Sequence, residues 1–123
     1  MGVRSYRELV VWRKAMDLVK AIYDGTKTWP KDELYGLTSQ IRRSAVSVPS
    51  NIAEGQGRTS TKEFLNHLSI AYGSLMEVET QVIIAQEQGY WSDREAEAPL
   101  ERAAEVGRLI NGLRNSLKRK TDH

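Results

Sequence analysis

Cysteine is absent from this 123-residue chain, which removes disulfides, thiolate metal ligands and cysteine nucleophiles together. Histidine is almost absent: there are two, and His123 is the last residue. No apolar run approaches the ~20 residues of a membrane span. The opening stretch MGVRSYRELVVW lacks the uninterrupted apolar core of a signal peptide. A cytoplasmic chain is expected, with no membrane partner and no small-molecule substrate. The formal net charge of +2 is too small to argue for nucleic acid by itself. If charge matters, its placement must carry the argument.

What remains is ordinary globular material, 40% hydrophobic and 28% charged, and the length suits one domain spanning 1–123. Its periodicity is helical throughout. Leu9, Trp12, Met16, Val19 and Tyr23 are spaced three or four apart and read as the core stripe of a first helix. Ser5 with Glu8 forms a capping box to start it, and Gly25 and Pro30 bracket its end. Phe64, Leu68, Ala71, Leu75, Val78, Val82 and Ala85 keep a heptad beat in a third helix, capped by Ser60 and Glu63 and stopped by Gly89. Ser92 and Glu95 offer another box before Leu100, Ala103, Ile110, Leu113 and Leu117. Pro99 lies inside that last element and is expected to kink it or mark its first turn. Trp12, Tyr23 and Tyr72 read as core aromatics.

The second segment carries an apolar stripe, Leu37, Ile41, Ala45, Val48 and Ile52, running straight across Pro49. One helix kinked near Pro49 and ending near Gly55 and Gly57 keeps its length comparable with its neighbours. Connections are short, so sequential helices are expected to be antiparallel neighbours. The expected fold is all-α, an up-down-up-down antiparallel four-helix bundle. Beside the second apolar stripe, Gln40, Ser44, Ser47 and Asn51 repeat in the same register. Small hydroxyl and amide side chains at that spacing suit close helix packing or a subunit interface, and Ser47→Glu is expected to disrupt an assembly.

Charge sorts to the two ends of such a bundle. One pole gathers Arg4, Arg7, Arg13, Lys14, Arg58, Lys62, Arg114, Lys118, Arg119 and Lys120, ending in a basic tail over 118–123. The other gathers Asp32, Glu33, Glu77, Glu79, Glu87, Asp93, Glu95, Glu97, Glu101 and Glu105. Clustered Arg and Lys release counterions on meeting phosphates, the sequence-independent part of nucleic-acid binding. Nothing points to base-specific readout: no RNP motif, zinc-finger spacing or helix-turn-helix is present. Charge at helix ends also complements helix dipoles without any partner.

No reaction chemistry is visible. Glu63 and His67 lie four apart and could supply half a metal site, but a di-iron bundle needs two Glu-x-x-His pairs and further core glutamates. Gly55 and Gly57 in EGQGR resemble a fragment of a phosphate loop, yet no strand precedes them and the Walker lysine is missing. No catalyst, cofactor or metal is expected.

The stretches ELVVWRKAMDL, LYGLTSQIRRSAVSVPSNIAEGQGR and FLNHLSIAYGSLMEVETQ resemble the four-helix-bundle family of 23S rRNA intervening-sequence proteins. The likeness runs from about Tyr6 to Tyr90, and the S-V-P-S-N-I-A-E-G string is its most specific part. The resemblance implies a bacterial protein and a homopentameric bundle, with genes that can lie within insertions in large-subunit ribosomal RNA. It implies no activity. Related pentameric bundles, the accessory variability proteins of diversity-generating retroelements, work with a reverse transcriptase and bind nucleic acid through basic surfaces, a likeness of fold alone. The family motif falls here on Gln40, Arg42, Arg43, Ser47, Pro49, Asn51, Glu54 and Gly55. Those positions read as structural: Arg43 or Glu54 is expected to pair across helices, and Asn51 to satisfy backbone freed near Pro49. The expected partners are a second copy of the chain and RNA or DNA; an assembly module with a protein partner, or an accessory protein to a reverse transcriptase, is the alternative.

Overall fold

The computed structural model describes residues 5–121, so Arg4, Asp122 and His123 lie outside the described residues. Four helices follow one another: α1 (Val10–Thr26), α2 (Leu37–Gln56), α3 (Thr61–Gln88) and α4 (Asp93–Thr121). Short 3-10 turns precede α1 and α2, at Tyr6–Glu8 and Lys31–Glu33. Among the described residues there is no strand.

Local chemistry sets the ends of these helices. Ser60 Oγ accepts the Glu63 N–H at 3.1 Å and starts α3. Gly89 ends it in the left-handed region at φ 79°, a conformation that costs a glycine nothing. Ser92 and Glu95 form a complete reciprocal box, Ser92 N–H to Glu95 Oε1 at 2.9 Å and Glu95 N–H to Ser92 Oγ at 3.1 Å. The Ser5 expectation needs correcting. Ser5 Oγ accepts from Arg7 N–H, two residues on, at 3.2 Å, and so caps the 3-10 turn rather than α1. Leu9 is extended, and α1 begins only at Val10. Both internal prolines are accommodated: α2 continues through Pro49 and α4 through Pro99, which lies beyond the first turn of α4.

Each helix packs on its neighbours in cyclic order, with α2 against α3 the most extensive contact and α1 closing onto α4. Specific contacts give alternating directions. Trp91, just before α4, donates its indole N–H to Gly25 O near the end of α1, and Tyr90 reaches Glu33 before α2. The end of α2 meets the start of α3 where Gly55 lies against Phe64 and His67. Farther along, Gly107 of α4 lies against Tyr72 and Leu75 of α3.

The core lines up Leu18, Ile22, Ile41, Ile52, Leu68, Leu75 and Ile110, all without solvent exposure. Burying each such side chain stabilises by roughly 1.5–3 kcal/mol relative to leaving it exposed. The expected stripes of α2 and α3 are buried, apart from half-buried Phe64. In α1 the core face is instead Val11, Ala15, Leu18 and Ile22. The expected stripe sits one face over: Leu9, Trp12 and Val19 are half-buried, while Met16 and Tyr23 are 42% and 40% exposed. The buried aromatics are Trp29 and Trp91, stacked edge-on at 4.9 Å where they plug one end of the bundle with Tyr90 beside Trp29. A Cβ on Gly25 would stand 2.5 Å from Trp91 Cζ2, so glycine is what admits the indole.

Candidate functional site

The residues expected at the basic pole lie on three segments. The N-terminal 3-10 turn is pinned by Arg13, which donates to the Arg7 and Glu8 carbonyls at 3.2 Å each. It is also pinned by Tyr6, whose ring meets Trp12 edge-on at 5.1 Å. Arg7 is exposed on this turn, its guanidinium 5.7 Å from the Tyr6 ring. The turn from α2 to α3 carries Arg58 and Lys62, both exposed, and the last turns of α4 carry exposed Lys118, Arg119 and Lys120.

Two of the expected pole residues point elsewhere. Lys14 pairs with Glu105 of α4 at 3.7 Å. Arg114 lies back over Tyr72 of α3 at 6.0 Å and donates to Asn111 at 3.2 Å. Arg4 falls outside the described residues.

At the acidic pole the carboxylates act partly as caps. Glu33 accepts the Leu37 N–H at 3.0 Å and the Tyr90 hydroxyl at 2.6 Å. The Tyr90 bond, then the Leu37 bond, lower the Glu33 carboxyl below its ordinary value, and the same carboxylate raises the Tyr90 phenol. Asp24 is lowered by Lys20 and Lys27, which flank it at 3.2 and 3.4 Å.

The polar stripe of α2 forms a seam with α3 inside one chain. Ser47 Oγ lies 2.8 Å from Ser74 Oγ. Asn51 Nδ2 donates to Ser47 O and Oγ at 3.0 Å each, and Asn51 Oδ1 faces His67 Nδ1 at 3.1 Å. His67 Nε2 in turn faces Glu54 Oε2 at 3.8 Å, and that same oxygen accepts from Arg58 at 2.7 Å. Gly55 completes the seam, since a Cβ there would stand 2.7 Å from His67 Cβ.

Several expectations are refined by this arrangement. Glu54 does reach across helices, to His67. Arg43 instead bonds Ser39 within α2 at 3.3 Å. Asn51 serves the Ser47 carbonyl, whereas the carbonyl that Pro49 leaves without its helical donor is that of Ala45. His67 pairs with Asn51 and Glu54 rather than Glu63, and among the described residues no cluster of three His, Asp or Glu side chains could hold a metal ion. Gln40 and Arg43 lie at the open edge of the seam, with Ser44, Ser47, Ser74, Glu77 and Gln81, around a groove of about 390 Å³. Because Ser47 is bonded to Ser74, Ser47→Glu would break the α2–α3 seam itself.

A feature that the sequence reading missed lies between α1 and α2. The displaced α1 stripe forms an open apolar groove of about 350 Å³, in which Trp12, Met16 and Val19 face Val46, Pro49 and Ala53, with Tyr6 at one end. Farther along the same seam, Tyr23 lies 4.9 Å beneath the Arg42 guanidinium, which also donates to Thr26 at 3.0 Å. Trp12 and Met16 at heptad spacing were the available signal, read as core.

Residues 7–112 match the model of the family described as 23S rRNA-intervening sequence protein. The chain belongs to that family. Among solved structures it is similar to a protein with unknown function from the S23 ribosomal protein family of Bacteroides thetaiotaomicron. That likeness has 23% identity and a TM-score of 0.80, and covers 86% of this chain and 96% of the other. At that identity the likeness concerns the fold, an all-α four-helix bundle. No curated protein matches the chain. Among the described residues no helix is long and apolar enough to cross a membrane.

Proposed function

We propose that this family member is a non-enzymatic, homo-oligomeric bundle that works in the cytoplasm and holds RNA or DNA phosphates against its basic pole. The reading is supported by Arg7, Arg58, Lys62, Lys118, Arg119 and Lys120, all exposed, on the N-terminal turn, the turn from α2 to α3 and the last turns of α4. Long, exposed cations on rigid helix ends suit a phosphate backbone, which offers regular charge and little sequence information. The family's association with ribosomal RNA insertions is in keeping with an RNA partner. Changing Lys118, Arg119 and Lys120 together to Glu is expected to abolish binding of a fluorescent structured RNA and of a matched duplex DNA at low salt. Unchanged binding in that variant would overturn the reading.

The groove between α1 and α2 favours a second, compatible reading, assembly. Met16, Tyr23 and Val46 are each about 40% exposed on a heptad-spaced face, which suits a helix of a second copy better than water. We take this groove, rather than the polar stripe of α2, as the contact that would build the family's pentamer. Assembly would set several basic poles side by side and raise phosphate affinity through multivalency. Met16→Glu is expected to lower the solution mass to that of one chain while leaving helicity intact. An unchanged mass would remove the groove from the interface.

A further inference from the structure

Asn51 Nδ2 donates to the Ser47 carbonyl at 3.0 Å. A carbonyl only accepts, so this bond fixes which way the Asn51 amide points. Asn51 Oδ1 must then be the atom facing His67 Nδ1 at 3.1 Å. It too can only accept, so Nδ1 carries a hydrogen whatever the charge of the ring.

The other ring nitrogen, Nε2, therefore carries a lone pair when the ring is neutral, and that lone pair faces the Glu54 carboxylate at 3.8 Å. Two acceptors meet without a proton between them. Protonation places an N–H on Nε2, 3.8 Å from Glu54 Oε2. Glu54 is at the same time the partner of Arg58, at 2.7 Å, and Arg58 belongs to the basic pole. The groups facing the ring from α2 and the following turn are Glu54, Asn51 and Arg58; on α3 itself Glu63 stands one turn away.

We infer that His67 is a proton-dependent regulator of this pole. When protonated it draws on the Glu54 carboxylate that otherwise neutralises Arg58, so Arg58 and the pole hold phosphate more tightly. The inference rests on the basic-pole reading above. The ring's side chain is 14% exposed, beside a Glu54 side chain that is 53% exposed. Glu54 is the half-exposed counter-charge that both cations share.

The test measures affinity for a fluorescent structured RNA at fixed low salt, at about pH 8 and about pH 5.5, the span over which histidine side chains change charge. The background is His123→Gln, leaving His67 as the remaining histidine of the two in the chain. The reference protein is expected to bind about three- to tenfold more tightly at the lower pH, the direction that one added positive charge near a polyanion favours. His67→Gln is expected to respond by less than about twofold, and Glu54→Gln to bind more tightly than the reference at pH 8. Long-range proton–nitrogen spectra of the ring at pH 8 must show the hydrogen on Nδ1, a readout that needs neither RNA nor a variant. A hydrogen on Nε2 overturns the inference. Equal affinity at both pH values in the reference protein, still abolished by reversing the tail charges, overturns the regulator and leaves the pole standing. No RNA binding at either pH overturns both.

Discussion

Gly55→Ala sets two effects of opposite sign against each other, and the structure decides between them. Alanine is a better helix former than glycine by about 1 kcal/mol in a helix interior, and Gly55 lies inside α2. The added Cβ, however, would stand 2.7 Å from His67 Cβ, 3.0 Å from Phe64 Cδ1 and 3.4 Å from the Phe64 carbonyl. A Cβ and a carbonyl cannot swing aside as a flexible chain end can, so α2 and α3 must separate by several tenths of an ångström. That movement would strain the Asn51–His67 bond across the same seam. Overpacking of this kind costs about 1–3 kcal/mol, which exceeds the propensity gain near a helix end. For a chain of 123 residues, 1 kcal/mol moves the thermal midpoint by about 4 °C. Gly55→Ala is therefore expected to lower Tm by about 3–10 °C. The matched control is Gly73→Ala in α3, where nothing lies within 4 Å of the added Cβ, so only the propensity gain operates and Tm should rise by about 2–4 °C. Thermal unfolding followed by circular dichroism at one protein concentration checks both. If Gly55→Ala is as stable as Gly73→Ala, the close approach of α2 to α3 is wrong.

Other perturbations test separate parts of the account. Glu33 has a folded-state pKa below its ordinary value. Its contribution is therefore present above the unfolded carboxyl's pKa and is lost as pH falls through the lower, folded one. Denaturant titrations between neutral pH and about pH 3 should show Glu33→Gln less stable than wild type at neutral pH, with the gap closing toward acid; a gap that widens would refute the linkage. Tyr90→Phe removes the hydroxyl that is the largest cause of the Glu33 shift, so the same titration should show a shallower acid limb. Trp91→Ala takes away the indole against Gly25 and its bond to Gly25 O, and should cost about 3–5 kcal/mol by denaturant unfolding. Asn51→Leu should destabilise by about 1–3 kcal/mol, because it strips His67 of its Nδ1 partner and leaves that polar atom unpaired against α2.

How much of this was legible in the sequence depends on which helix is considered. In α2 and α3 the longest regular apolar stripe is the buried one, so Ile41, Ala45, Val48 and Ile52, or Leu68, Ala71, Leu75 and Val78, could be assigned to the core directly, although Val46, Ile70, Ile83 and Ile84 beside them are exposed. α1 carries two apolar stripes side by side, and the larger residues drew the assignment. The interior near closely packed helices favours Ala15, while Trp12 and Met16 fit only at the margin. Periodicity tells which residues share a face but not what covers it. Ser47 and Asn51 could thus be read as a packing stripe, while their partners Ser74 and His67 stayed hidden in another helix. Trp29 and Trp91 lie outside any periodic stripe, in the connections, and only tertiary contact buries them. The poles were expected from antiparallel order and short loops. Whether each charge is engaged was not legible, since Lys14 meets Glu105 and Glu33 meets Tyr90 across distances that spacing does not encode.

The most direct measurement of the central claim is the salt dependence of RNA affinity for the unmodified chain, taken from low salt up to physiological ionic strength. The account predicts measurable binding whose logarithm falls linearly with the logarithm of salt concentration, steeply enough to report several phosphates neutralised, and nearly the same for unrelated RNA sequences. Binding that ignores salt, or no binding at the lowest salt, would contradict it.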